Sequence, residues 1–283
     1  MCKSEPIVDG TTGGGSIRTL TDATIDEVLE RLGFGERPDP DLEGLTAVYR
    51  AWCRRVPFDN LRKLVALHYD MPDLPGIDPA DFFAAWLLTG AGGTCWPSNN
   101  ALHALLAGLG FDAELHAASM WDLDEDNHGT TLVTVGATRY MVDSSVLSDA
   151  PVPLVEGQPA EVAHGGYVVR ATPDPGGWLV RFPTAQEGIV VPCRLRHPMD
   201  HTATVDAYER SRAVSPFNDD ITARVNDRDG VWVVRGRTIT RVTAGERTTR
   251  EAPDVEVDDF LVDEIGYIPQ LVAEVRGVLS PDP

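Results

Sequence analysis

The hydrophobic period of this chain changes sharply at residue 110. Before that point apolar side chains recur at helical spacing. Leu102, Leu105, Leu106 and Leu109 stand at i, i+3, i+4 and i+7, one buried helix face. Gly108 and Gly110 stop that helix. From Phe111-Asp112-Ala113-Glu114-Leu115-His116 onward the texture alternates, as a strand does. Helices gathered in one stretch and strands in the next predict an α+β class.

The helical stretch divides readily. A first helix is expected over residues 25–33 with Thr24 as N-cap, and a second over 42–55. Val56-Pro57-Phe58-Asp59-Asn60-Leu61 interrupts the pattern, and a third helix is expected over 81–88 after Pro79. A fourth opens at Cys95, with Pro97 in its first turn, where a missing N–H costs nothing. These make a helical domain over 21–110. Strands are expected at 130–135, 139–142, 167–171, 178–182 and 188–191, a β-rich domain over 111–205. The segment 206–283 shows strands at 231–234 and 238–242, then helices near 257–265 and 269–278. Residues 1–20, with their Thr-Thr-Gly-Gly-Gly-Ser run, read as a disordered leader.

Charge narrows the functional classes. With 24 basic against 44 acidic residues the formal net charge is -20, which argues against a phosphate-binding surface for nucleic acid or an anionic membrane face. No apolar run reaches signal-peptide or membrane-span length. The four cysteines, Cys2, Cys53, Cys95 and Cys193, are scattered and form no close pair. That pattern fits neither zinc nor a disulfide framework, and it predicts no metal site and reduced thiols in a cytoplasmic protein.

One of those cysteines makes a chemical proposal. Cys95 follows Gly92-Gly93-Thr94 at the start of a helix, His128 lies 33 residues on, and Asp143 a further 15. A thiol needs a base, a cation or a helix N-terminus to become a useful nucleophile. His128 would take the proton, Asp143 would orient the imidazole, and Gly92 and Gly93 would let backbone N–H groups approach an oxyanion. The hairpin allows the pair to meet. With Gly136-Ala137 as a two-residue turn, Val135 opposes Thr138 and Thr130 opposes Asp143, so His128 falls on the same face one diagonal step away. His103, eight residues after Cys95 and about 12 Å along the helix, is too far to serve as its base.

The residues resemble the arylamine N-acetyltransferase family. Its signature is matched by Pro57-Phe58-Asp59-Asn60-Leu61, by Gly92-Gly93-Thr94-Cys95 with Asn99, by His128, and by Val142-Asp143. Ser211 and Ser215-Pro216-Phe217 resemble a later stretch of the family, and Arg235-Gly236-Arg237-Thr238 the strand pair after it. The resemblance implies a helical bundle, a central β-barrel and a C-terminal α/β lid on a papain- or transglutaminase-like core. It implies a Cys95-His128-Asp143 triad and ping-pong transfer of an acyl group from acetyl-coenzyme A, a cosubstrate rather than a bound cofactor, to a small-molecule amine. Candidate substrate contacts are Phe58, Trp96, Ser144, Ser145, Ser215 and Phe217, although Phe58 and Trp96 read equally as core aromatics.

The chain also departs from the family. The arginine four residues before the cysteine is Ala91, the glutamate two after it is Pro97, the Pro-Phe-Glu glutamate is Asp59, and the glycines after the aspartate are Ser144 and Ser145. In relatives those charges form a network around the active-site loop; here Arg31 is the remaining candidate partner for Asp59. These departures bear on donor and acceptor, so three alternatives stay open. They are an amide synthase fed by an acyl carrier protein, which the acidity of both proteins disfavours, a thioester hydrolase or transglutaminase-like enzyme, and a catalytically weak binding protein.

Overall fold

The structure is a computed structural model that describes residues 19–184 and 186–280. The expected leader lies outside the described residues except at its end, where Leu20 packs into the helical core. Helices α1 (Asp22–Leu32) and α2 (Leu42–Arg55) come first. The N-cap of α1 is Thr21, not Thr24: the Thr21 hydroxyl accepts the Thr24 backbone N–H at 3.2 Å, which starts the helix three residues early. The expected break at 56–61 holds a two-residue strand, β1 (Phe58–Asp59), followed by a helix the periodicity did not reveal, α3 (Leu61–His68). Helices α4 (Pro79–Thr89) and α5 (Cys95–Gly108) complete the bundle. Trp52 of α2 stacks on Phe82 and meets Phe83 edge-on, with centroids 6.0 and 6.1 Å apart. Each such contact contributes about 0.5–1.5 kcal/mol beyond area burial and locks α2 to α4.

Eight strands follow: β2 (Asp112–Met120), β3 (His128–Val135), β4 (Thr138–Val142), β5 (Val152–Leu154), β6 (Ala160–His164), β7 (Tyr167–Asp174), β8 (Gly177–Pro183) and β9 (Val190–Pro198). They form one antiparallel sheet in the order β5-β4-β3-β2-β9-β8-β7-β6, a nearly closed barrel around Met141, Val169, Val180 and Cys193. The β3–β4 hairpin takes the expected register, Val135 opposite Thr138 and Thr131 opposite Val142. Strands β5 and β6 escaped the sequence reading because each is short and one is half-exposed.

The chain then runs through α6 (His201–Arg210), β10 (Thr222–Asn226), β11 (Gly230–Arg235), β12 (Thr238–Thr243), β13 (Arg247–Glu251), α7 (Asp254–Phe260), a π-helical turn (Leu261–Ile265) and α8 (Pro269–Leu279). A second antiparallel sheet has the order β1-β10-β11-β12-β13. Its first strand is therefore donated by the helical region. This pairing, Phe58 opposite Arg224 and Asp59 opposite Ala223, ties the C-terminal unit to the helical region. Its apolar cluster takes in Leu61, Leu64 and Ala91. No helix among the described residues is long and apolar enough to cross a membrane.

Candidate active site

Cys95 is the first residue of α5, and its side chain is half-buried. Thr94 holds the N-cap position but makes no side-chain cap; its hydroxyl bonds Tyr208 instead. The first N–H groups of α5 have no intrahelical acceptors, and together with the helix dipole they favour negative charge at the sulfur or at an oxyanion beside it. His128, the first residue of β3, and Asp143, one residue past β4, are both fully buried. The two-strand register brings them together: His128 Nε2 and Asp143 Oδ2 are 2.8 Å apart. The imidazole also hydrogen-bonds Cys95, so Nδ1 is the nitrogen left for sulfur. Burial works against a charge on His128, but the Asp143 carboxylate and Cys95 outweigh it and raise the ring to about 10. Burial likewise opposes charge on Asp143, yet the facing imidazole holds its carboxyl below the usual range.

The carboxylate is fixed from all sides. Asp143 Oδ1 accepts the N–H groups of Ser145 at 2.8 Å and Val146 at 3.0 Å. The buried phenol of Tyr49 donates to the Asp143 carbonyl at 2.8 Å and accepts the Asp143 and Ser148 N–H groups at 3.1 and 3.2 Å. Asn99 joins the three elements that carry the trio. Its Nδ2 donates to the carbonyls of Cys95 at 3.1 Å and Gly129 at 2.5 Å, and its Oδ1 accepts the Ser144 N–H at 3.1 Å. From the second sheet, Arg224 donates to the carbonyls of Ser145 and Val146 and stacks 4.1 Å from the Tyr167 ring. The loop so held carries Leu147 at φ 47° and Asp149 at φ 63°, backbone strain of the kind that collects beside functional sites. Tyr49 and Arg224 were invisible to motif reading, because each acts on backbone groups 94 and 79 residues away. Asn99 is a motif match, and its bracing role arises from three segments that meet only in the fold.

Two expectations fail. Gly92 does not offer its N–H to an oxyanion, because that group donates to Asp59 Oδ2 at 2.7 Å. Glycine is required there for close approach: a Cβ at Gly92 would lie 1.9 Å from the Pro57 carbonyl oxygen. Nor does Arg31 pair with Asp59. Arg31 is on the exposed face of α1, whereas Asp59 is fully buried and bonded by Gly92 N, Leu61 N and Tyr267 Oη. Tyr267, brought in by the C-terminal unit beside the small Ala91, contributes a neutral donor to this carboxylate.

Burial raises Asp59 to about 6, partly offset by those three donors. The unfolded chain releases this proton near 3.8 while the folded chain holds it to about 6, so this group lowers stability as pH rises across that interval. Tyr267→Phe removes a donor to the ionised form and moves the upper limit higher. Its expected cost is about 2 kcal/mol at pH 8 and clearly less at pH 5, where the folded carboxyl is protonated. Urea midpoints at the two pH values measure this; equal losses would mean that the charge on Asp59 is not what Tyr267 stabilises.

The other candidate contacts distribute unevenly. Phe58 and Phe217 meet edge-on at 5.1 Å and pack on the cluster that Cys95 borders. Trp96 is buried, its ring lying 2.7 Å from where a Cβ at residue 129 would stand, so it braces the strand next to His128. Ser144 and Ser145 sit in the turn after Asp143, each with a buried hydroxyl lacking a hydrogen-bond partner. Ser215 Oγ accepts the Phe217 N–H at 3.3 Å. Cys53 and Cys193 are buried thiols pushed up by burial, to about 12 for Cys53, which makes them inert packing groups. Cys2 lies outside the described residues.

Comparison with known proteins bears on this arrangement. The N-acetyltransferase family model matches residues 41–267. The chain is 27% identical over 218 residues to the arylamine N-acetyltransferase of Mycolicibacterium smegmatis, covering 73% of this chain and 68% of that protein. It is 27% identical over 124 residues to the proansamycin X synthase of Amycolatopsis mediterranei, covering 42% of this chain and 46% of that one. Among solved structures it is similar to a variant of Mycobacterium smegmatis arylamine N-acetyltransferase, with a TM-score of 0.76 and 23% identity over 90% of this chain and 98% of the other. That last likeness concerns the fold.

Proposed function

This chain belongs to the arylamine N-acetyltransferase family, and from that membership we propose that it transfers an acyl group from a coenzyme A thioester to a small amine through a Cys95 thioester. The observation that carries the reading is the buried 2.8 Å contact between His128 and Asp143, with the imidazole also bonded to Cys95 at the start of α5.

In the first half-reaction Cys95 gives its proton to His128, and the sulfur attacks the thioester carbonyl. The tetrahedral oxyanion forms beside the free N–H groups of the first turn of α5. Collapse breaks the carbon–sulfur bond of the donor, and the departing thiolate takes the proton from His128. In the second half-reaction the amine attacks the Cys95 thioester and passes a proton to the imidazole. The Cys95 sulfur leaves, and an amide is released. Asp143 holds the imidazole in the tautomer that presents Nδ1 to sulfur and favours its charged form. The fixed geometry supplied by Asn99 and Tyr49 keeps these atoms aligned between the two half-reactions.

The test is intact mass measured after exposure to acetyl-coenzyme A and to longer acyl thioesters, followed by an aromatic amine. The expected result is one acyl adduct, absent in Cys95→Ala, that disappears as amide forms. Release as free acid in the presence of amine would instead indicate a hydrolase. No adduct with any donor would indicate a binding protein. A carrier-protein donor is the second reading, motivated by the similarity to the synthase; acylation by a carrier thioester but not by coenzyme A thioesters would select it.

A further inference from the structure

Lys63 is one of two lysines in the sequence, and it is buried in α3 at 2% exposure. Its Nζ donates to the Ser211 carbonyl at 3.2 Å and to the Ser211 hydroxyl at 2.9 Å, and it lies 5.9 Å from the centre of the Tyr208 ring. An ammonium carries three donors, and Ser211 takes two. Among the described residues no carboxylate stands within salt-bridge distance, and Glu209 and Arg212 act on it only from farther off and in opposite senses. A buried cation without a counter-ion is costly unless something else supplies one.

Its location is specific. Cys95 packs against the apolar cluster that contains Tyr208, the ring under the Lys63 ammonium. Tyr208, whose ring faces the ammonium, bonds the hydroxyl of Thr94, the residue before Cys95. The cluster that Cys95 borders therefore carries, over its Tyr208 ring, a cation with a spare donor. Burial draws Lys63 down to about 8, which leaves it mostly protonated at neutral pH.

Building on the thioester reading, we propose that Lys63 pairs with a carboxylate on the acyl group carried by Cys95, so that the site favours monothioesters of short dicarboxylic acids over acetyl. The acyl group, rather than the amine, is the partner because it is bonded to sulfur and its tail stays within a fixed reach of Lys63. The pairing satisfies the third N–H and supplies the missing counter-charge in a site where water competes weakly. An acetyl group leaves both unmet. No bond is made or broken at the carboxylate, which only selects.

Two measurements test this. In single-turnover acylation followed by intact mass, the wild-type protein is expected to prefer succinyl- and malonyl-coenzyme A over acetyl-coenzyme A at least about tenfold. Lys63→Met is expected to reduce that ratio by a similar factor, and Lys63→Arg to restore part of it. The second measurement leaves Lys63 untouched. Calorimetry on Cys95→Ala compares succinyl- with butyryl-coenzyme A, four-carbon acyl groups with and without the carboxylate, and the expected Kd difference is about tenfold or more. Equal Kd values, a wild-type protein without preference, or an equal loss toward every donor in Lys63→Met overturns the proposal; the last outcome would make Lys63 a support for the thiolate or the fold. Acylation without discrimination keeps the thioester reading and removes this one. A Kd difference without acylation does the reverse.

Discussion

Cys95→Ser is expected to lower acyl transfer at least about 10³-fold while leaving the fold intact. The substitution keeps the size of the side chain and its place at the start of α5, so packing changes little. Its effect is chemical. The thiol can hand its proton to an imidazole that Asp143 raises to about 10. A serine hydroxyl holds its proton far more tightly, and the same base and dipole do not make it an alkoxide. The rate of coenzyme A release and the thermal midpoint, measured on the same preparation, separate the two effects. A variant retaining a tenth or more of the wild-type rate would remove Cys95 from the role of nucleophile.

Asp143→Asn is expected to cost about 10³–10⁴ in turnover and, unlike Cys95→Ser, about 3 kcal/mol or more in stability. Asp143 is buried and serves two sets of partners: its Oδ2 meets His128, while its Oδ1 gathers the N–H groups of Ser145 and Val146. Losing the negative charge removes what offsets the burial cost of an imidazolium, so His128 falls from about 10 toward its ordinary range. The stability linked to His128 is fully present below its unfolded value of 6.5 and fades as pH rises through about 10. The share linked to Asp143 is present above 3.8 and fades in acid. The variant should therefore lose most stability between those limits, and the basic limb of its pH–rate profile should move toward neutrality. A basic limb that stays in place would mean that Asp143 does not set the basicity of His128.

The legible part of this molecule was local. The four-leucine face of α5, the glycines that end it and the proline in its first turn all act within a few residues, and the helix runs over Cys95–Gly108 as they dictate. The β3–β4 hairpin was legible for the same reason: a two-residue turn sets the register of both strands, and the register alone puts His128 and Asp143 on one face. Helix α3 and strand β1 were not legible. The Val56–Leu61 segment carries a proline and a buried aspartate and shows no period, and the strand that pairs with β1, β10, lies some 160 residues on. The N-cap of α1 was misplaced by three residues because two threonines, Thr21 and Thr24, offer the same chemistry.

The departures from the family pattern show the same division. The resemblance set Ala91 and Asp59 against a charged network in relatives. The structure places Tyr267 against that carboxylate and seals Ala91 into an apolar cluster. The Asp59 carboxylate takes a neutral donor, and that donor comes from the far end of the chain.

By itself, the sequence determined the α+β division at residue 110, the helix that presents Cys95, the hairpin that pairs His128 with Asp143, and the family. All of these depend on contacts between near neighbours, or on motifs whose chemistry requires particular residues. Only the tertiary structure decided which groups brace the trio, that the Gly92 N–H belongs to Asp59, and that a buried Lys63 lies over the Tyr208 ring without a carboxylate partner among the described residues. Those outcomes depend on burial and on partners distant along the chain, and neither is set until the second sheet pairs with Phe58–Asp59 of the helical region.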